Sequence, residues 1–231
     1  MNPPRPGSFR LFNLFGIQVS VHWSWFVALY ILYQVSGMAD SLGWFLATYL
    51  TLFGIVLIHE FGHALACRSV GGVAGNIVLW PLGGIAFVNP PPRPGAVLWS
   101  IAAGPLVNVV LVPVTVVLLL VIESMLAPDQ YPGLHQYAFI IFQINLGLLI
   151  FNMMPVYPLD GGQILQAILW FFMGRARSLR VAATIGVVMG ALVGVLALMA
   201  RNWWMVLIAI FVGIQAWNGL RIARVLAMYE R

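Results

Sequence analysis

Two histidines four residues apart enclose a glutamate in His59-Glu60-Phe61-Gly62-His63. On a helix, positions i and i+4 share a face and lie about 6 Å apart along the axis. Two imidazoles so placed can reach one zinc ion at about 2.0–2.1 Å. The residue between them cannot easily join the same ion. A carboxylate there can instead take a proton from a water that the ion activates, so Glu60 reads as a general base. Five-residue patterns arise by chance in soluble chains. Inside an apolar helix each of these side chains costs free energy, and packing does not explain their coincidence.

A catalytic zinc needs a third protein ligand and an open position. Asp160 is the best candidate, because it is the other charge embedded in an apolar stretch and Gly161 and Gly162 beside it permit close backbone approach. Cys67 is the rival, but it stands eight residues from His59, about 12 Å along an unbroken helix. His22 reads as a supporting or structural residue. His135 falls on the wrong side of the membrane in the topology given below.

Three further features are polar or irregular where an apolar chain should be neither. Asn108 follows Gly104-Pro105 within an apolar run. It could bond a substrate backbone or an oxyanion, or make an interhelical hydrogen bond. Asn152 opens a break at residues 155–162, where Pro155 and Pro158 oppose helix; Asn145 and Asn152 also fit plain interhelical bonding. Two short apolar runs, 77–80 and 85–88, flank Pro81-Leu82-Gly83-Gly84 and read as a β-hairpin dipping between helices or as a packed interfacial loop. A hairpin edge there could pair with an extended peptide, with Gly83 and Gly84 near it.

The elements that must hold these residues follow from composition. The 231 residues are 62% hydrophobic and 7% charged, with 11 basic and 6 acidic side chains. A soluble domain is about a quarter charged. An ordinary soluble globule, a disordered tail and a nucleic-acid module are therefore excluded, and the net charge of +5 comes with no basic cluster interleaved with exposed aromatics. Cys67 is the single cysteine, so no intramolecular disulfide forms. The N-terminal apolar run is too long for a cleavable signal peptide.

Apolar segments at about residues 17–35, 44–66, 96–122, 136–173, 181–200 and 203–220 are each long enough to cross a bilayer. Counting 136–173 as one broken span puts every arginine except Arg201 on the side of the N-terminus, and Asp40, Glu123 and Asp129 opposite. The positive-inside rule makes that side cytoplasmic. The expectation is an all-α polytopic membrane protein of six transmembrane helices, the fourth discontinuous, with a short membrane-associated β-hairpin between helices 2 and 3. Residues 1–16 and 221–231 are expected as cytoplasmic tails around a membrane domain at 17–220, its catalytic core at about 44–173.

These motifs resemble the site-2 proteases, a family of intramembrane zinc metalloproteases. The zinc motif matches His59-Glu60-Phe61-Gly62-His63, and the aspartate motif matches Asn152, Pro155 and Leu159-Asp160-Gly161. Gly104-Pro105-Leu106-Val107-Asn108 and Gly83-Gly84 also match the family core, over about residues 16–173. The resemblance implies one zinc per chain held by His59, His63 and Asp160, with Glu60 as general base. It implies hydrolysis of a peptide bond in or near a transmembrane segment of a membrane protein. Regulated intramembrane proteolysis in a prokaryotic cell membrane is expected, and Arg68 and the Arg175 to Arg180 cluster put the expected site towards the cytoplasm. The PDZ and CBS domains of many relatives have no room here, which leaves a minimal form. Asn108, Asn152, Gly83 and Gly84 are the candidates for substrate or oxyanion contact. A metal or proton transporter is the rival use of the same cluster, although no inverted repeat is visible; a non-catalytic membrane binder is a second rival.

Overall fold

The computed structural model describes residues 7–35, 42–80, 83–126 and 131–230. Arg5, Asp40, Pro81, Leu82, Asp129 and Arg231 lie outside the described residues. The chain divides into two compact units, Met1–Pro91 with Ala103–Leu149, and Pro92–Ala102 with Ile150–Arg231.

The first unit holds a four-stranded sheet in the order β1-β2-β3-β4, formed by β1 (Ser8–Leu14), β2 (Ile17–His22), β3 (Val73–Trp80) and β4 (Gly83–Asn89). The expected hairpin is present as the antiparallel pair β3–β4, extended beyond the two short runs. The N-terminal half is a correction. Residues 8–14 are a strand and not merely tail, and residues 17–22 are a strand and not the start of a span. Ile17, Val19 and Val21 are buried and alternate with Gln18, Ser20 and His22. A helix would have exposed those polar groups to lipid, whereas period-two alternation suits a strand. Phe15 and Gly16, both at positive φ, make the two-residue β1–β2 turn. Strand β2 then pairs in parallel with β3, from Gln18 opposite Asn76 to Val21 opposite Leu79.

Between β2 and β3 the chain crosses over through α1 (Ser24–Val35) and α2 (Leu42–Ser69). Helix α1 has 12 residues, about 18 Å of rise, against about 30 Å of hydrocarbon. Helix α2 contains no proline and packs Val56, Phe61, Ala64 and Cys67 on Ile17, Val19, Ile77 and Leu79 of the sheet. Arg68 in its last turn donates to the carbonyls of Phe15, Gly16 (3.0 Å) and Ala74 (2.9 Å). One guanidinium therefore ties the β1–β2 turn and β3 to the end of α2.

Helices α3 (Pro94–Met125) and α4 (Pro132–Met153) each contribute to both units. The second unit also holds α5 (Asp160–Met173), α6 (Arg175–Met199) and α7 (Trp203–Tyr229). The break falls at residues 154–159, as the two prolines dictate. Helix α7 continues through residues 221–229, so the expected C-terminal tail is helical there. Among the described residues five helices, α2, α3, α4, α6 and α7, are long and apolar enough to cross a membrane.

Candidate metal centre

Helix α2 places His59 and His63 on one face, with their Nε2 atoms 3.1 Å apart. Two nitrogens each about 2.0–2.1 Å from one tetrahedral centre stand about 3.3–3.4 Å apart, so the pair is spaced for a shared ion. Both imidazoles and Glu60 are buried.

The orientation of His59 is set by α3. Its Nδ1 lies 2.5 Å from Asn108 Oδ1. An amide oxygen can only accept, so Nδ1 carries the proton and Nε2 presents its lone pair. Asn108 Nδ2 donates to Asn145 Oδ1 at 2.8 Å, and Asn145 Nδ2 donates to the Asn108 carbonyl at 3.1 Å. These three bonds fix which way both amides point. Both asparagines are fully buried. The two polar ends of the Asn108 side chain are thus engaged inside the protein, which favours the interhelical role over contact with an oxyanion. Sequence reading named Asn145 without linking it to the histidines; two amides in successive apolar helices are the signal that they find each other.

Close backbone approach makes this geometry reachable. A Cβ on Gly104 would overlap the His63 imidazole, and one on Gly62 would stand 2.7 Å from the Ala103 carbonyl oxygen. Both helices therefore need glycine at their crossing.

Glu60 points to the sheet. Its Oε2 accepts the Ala86 backbone N–H at 2.8 Å. A Cβ on Gly84 would overlap the Glu60 carboxyl, so this glycine gives the side chain room to lie along β4. Gly83 begins that strand at φ +137. The backbone bond holds one carboxylate oxygen against β4.

Asp160 is the first residue of α5, where a carboxylate suits the positive end of the helix dipole. The chain before it turns through hydrogen bonds from Val156 N–H to the Met154 carbonyl (2.7 Å) and from Leu159 N–H to the Val156 carbonyl (2.8 Å). Gly161 abuts the Met153 and Met154 carbonyls, and Gly162 abuts the backbone of Val156 and Tyr157. Side chains at either position would push the first turn of α5 off the break. His59 and His63 in the first unit and Asp160 in the second each offer one donor atom of a kind that zinc takes. Two imidazoles and a carboxylate suit zinc, and the Nδ1–H bond to Asn108 is the kind of outer contact that orients a zinc-bound histidine.

The remaining candidates have other partners. His22 Nδ1 lies 2.6 Å from Ser24 Oγ, His135 Nε2 is 3.0 Å from the Leu126 carbonyl, and buried Cys67 donates to the Val73 carbonyl at 3.6 Å. Asn152 is half-buried in the last turn of α4.

Comparison with known proteins agrees with this chemistry. Residues 121–196 match the model of peptidase family M50. A zinc metalloprotease of Methanocaldococcus jannaschii is 31% identical over 96% of this chain and 63% of its own length. Stage IV sporulation protein FB of Bacillus subtilis is 35% identical over 50% of this chain and 38% of its own. The chain thus spans less than two thirds of the curated relatives it matches. Among solved structures, a site-2 protease from Methanocaldococcus jannaschii superposes with a TM-score of 0.66 at 30% identity, covering 92% of this chain and 95% of that one.

Proposed function

Because the chain belongs to peptidase family M50, the site-2 proteases, we propose that it is an intramembrane zinc metalloprotease that cleaves a peptide bond in or near a transmembrane segment of a membrane protein. The observation that carries the reading is the buried His59–His63 pair, with facing Nε2 atoms and a carboxylate between them. His59, His63 and Asp160 would hold the zinc. The ion would supply Lewis acidity, lowering the pKa of water towards about 7 and stabilising negative charge on the scissile carbonyl.

The residues of the chain do the rest. Asn108 holds His59 in the ligating tautomer and orientation. Glu60, steadied by the Ala86 N–H, accepts the proton of the attacking water and passes it to the leaving amine. Unwinding of the substrate must come first, because an intact helix keeps its carbonyls bonded. β4 ends the sheet order, and its edge is suited to receive an extended segment, with Gly83 and Asn152 as proposed substrate contacts. A cytoplasmic location of both termini, a site on that side and a place in regulated intramembrane proteolysis complete the reading; the arginine distribution supports the orientation.

Glu60→Gln is the test. It should bind zinc as the wild type does and lose at least about a thousandfold in cleavage of a defined transmembrane substrate, which is a sensible scale for removing a general base at a metal site. Retained cleavage would sink the assignment. Metal uptake into proteoliposomes without peptide cleavage would support transport instead.

A further inference from the structure

Helices α6 and α7 carry none of the proposed zinc ligands, yet they are shaped around a residue of the break. They form a hairpin through residues 200–202, with Ala182, Ala183, Ala216 and Ala223 buried. Gly186 and Gly219 lie on the same seam, where glycine costs about 1 kcal/mol against alanine in a helix. What occupies the space is Tyr157. A Cβ on Gly186 would overlap the Tyr157 carbonyl oxygen, and one on Gly219 would stand 2.8 Å from Tyr157 Cε1 and 3.1 Å from Ala183 Cβ. On the other side, a Cβ on Gly162 would overlap the Tyr157 backbone nitrogen. Tyr157 is therefore gripped between the α6–α7 seam and the first turn of α5, three residues before Asp160.

A helical ladder fixes His59 and His63, but residues 154–159 have no such ladder. Their two internal turn bonds set local shape and not the placement of the loop on α6 and α7. Gln163 Nε2 donates to the Pro158 carbonyl at 2.9 Å and ties the loop to α5, and Tyr157 seats it on α6 and α7, by its carbonyl at Gly186 and its ring at Gly219.

We propose that Tyr157 is the positioning residue for Asp160, and that Gly186 and Gly219 are glycine in order to receive it. Helices α6 and α7 then act in metal binding without touching the metal. This inference rests on the reading of Asp160 as a zinc ligand. The atoms in contact at Gly219 are ring carbons, so the ring and not the hydroxyl does the positioning.

The test is zinc affinity of the full-length protein in detergent, measured by competition with a chromogenic chelator. Tyr157→Ala should weaken zinc about ten- to hundredfold, as losses of outer-shell support do, while Tyr157→Phe stays within about twofold of wild type. Gly219→Ala, a milder intrusion into the same niche, should also weaken zinc, and should add less in a Tyr157→Ala background than alone, because the closer of its two contacts is the Tyr157 ring and the other is Ala183. That non-additivity is not expected from general destabilisation. If Tyr157→Ala does not fold, the comparison of Gly219→Ala with wild type carries the test alone. Wild-type zinc affinity in Tyr157→Ala, or in Gly219→Ala if that is the only folded variant, overturns the proposal. Asp160→Ala in parallel separates the two levels: unchanged zinc there defeats the ligand assignment itself, whereas zinc lost there but unchanged at Tyr157 defeats only the positioning role.

Discussion

Helix α2 and the break before α5 each carry side chains proposed as metal ligands, and they hold them by different means. On α2 the ligands sit four residues apart on a continuous helix, so the backbone ladder sets their separation. Only the imidazole orientation is left to be fixed, and Asn108 and Gly104 on α3 fix it. At the break, two prolines remove the ladder, and Asp160 depends on tight backbone packing at Gly161 and Gly162 and on the Tyr157 ring. Polar and steric contacts share the first region, and steric ones dominate the second. The first should therefore respond to lost hydrogen bonds as well as to added volume, and the second chiefly to added volume.

The largest effect expected on the α2 side itself is steric and would blur that contrast. Gly104→Leu drives a side chain into the His63 imidazole and should abolish zinc binding, which metal analysis of purified protein would show. A protein that folds and keeps one zinc would mean that His63 is not where the ligand must be. Next in size is Asn108→Ala. It takes the acceptor from the His59 Nδ1–H and the donor from Asn145 Oδ1, at about 1–3 kcal/mol each in a buried site, while Asn145 Nδ2 keeps its bond to the carbonyl of residue 108. Zinc affinity should fall about ten- to hundredfold, with Asn108→Asp, which keeps an acceptor, nearer to wild type. Equal zinc affinity in Asn108→Ala would remove the polar half of the comparison. The smallest effect on zinc is expected away from the metal. Arg68→Gln loses charge-assisted bonds to Phe15, Gly16 and Ala74 and should cost about 1.5–3 kcal/mol of stability. Thermal unfolding should record that loss while zinc affinity stays near wild type.

The same contrast explains what could be read in advance. His59, Glu60, His63 and Asp160 stand out because charge and imidazole are costly among apolar residues, and that cost is visible residue by residue. The break is visible for a similar reason, since Pro155 and Pro158 act locally. Residues 17–22 misled because a run of apolar composition outweighed its period-two alternation, and only pairing with β3 makes that alternation pay off in a buried face. Asn108 was ambiguous because its partner lies 49 residues away on another helix, and sequence does not show which of two polar groups will meet. Tyr157, Gly186 and Gly219 were illegible. An aromatic residue and two glycines in apolar helices are ordinary, and their meaning lies in a shape complementarity that exists only after folding.

We propose that Asp160, at the start of α5, completes the set of zinc ligands that the histidines of α2 begin. Zinc content and affinity of Asp160→Ala beside wild type test it most directly. The account predicts one tightly held zinc per wild-type chain and a loss of at least about a hundredfold in affinity for the variant, as expected when one of three protein ligands is removed. An Asp160→Ala protein that holds one zinc as tightly as wild type would contradict it.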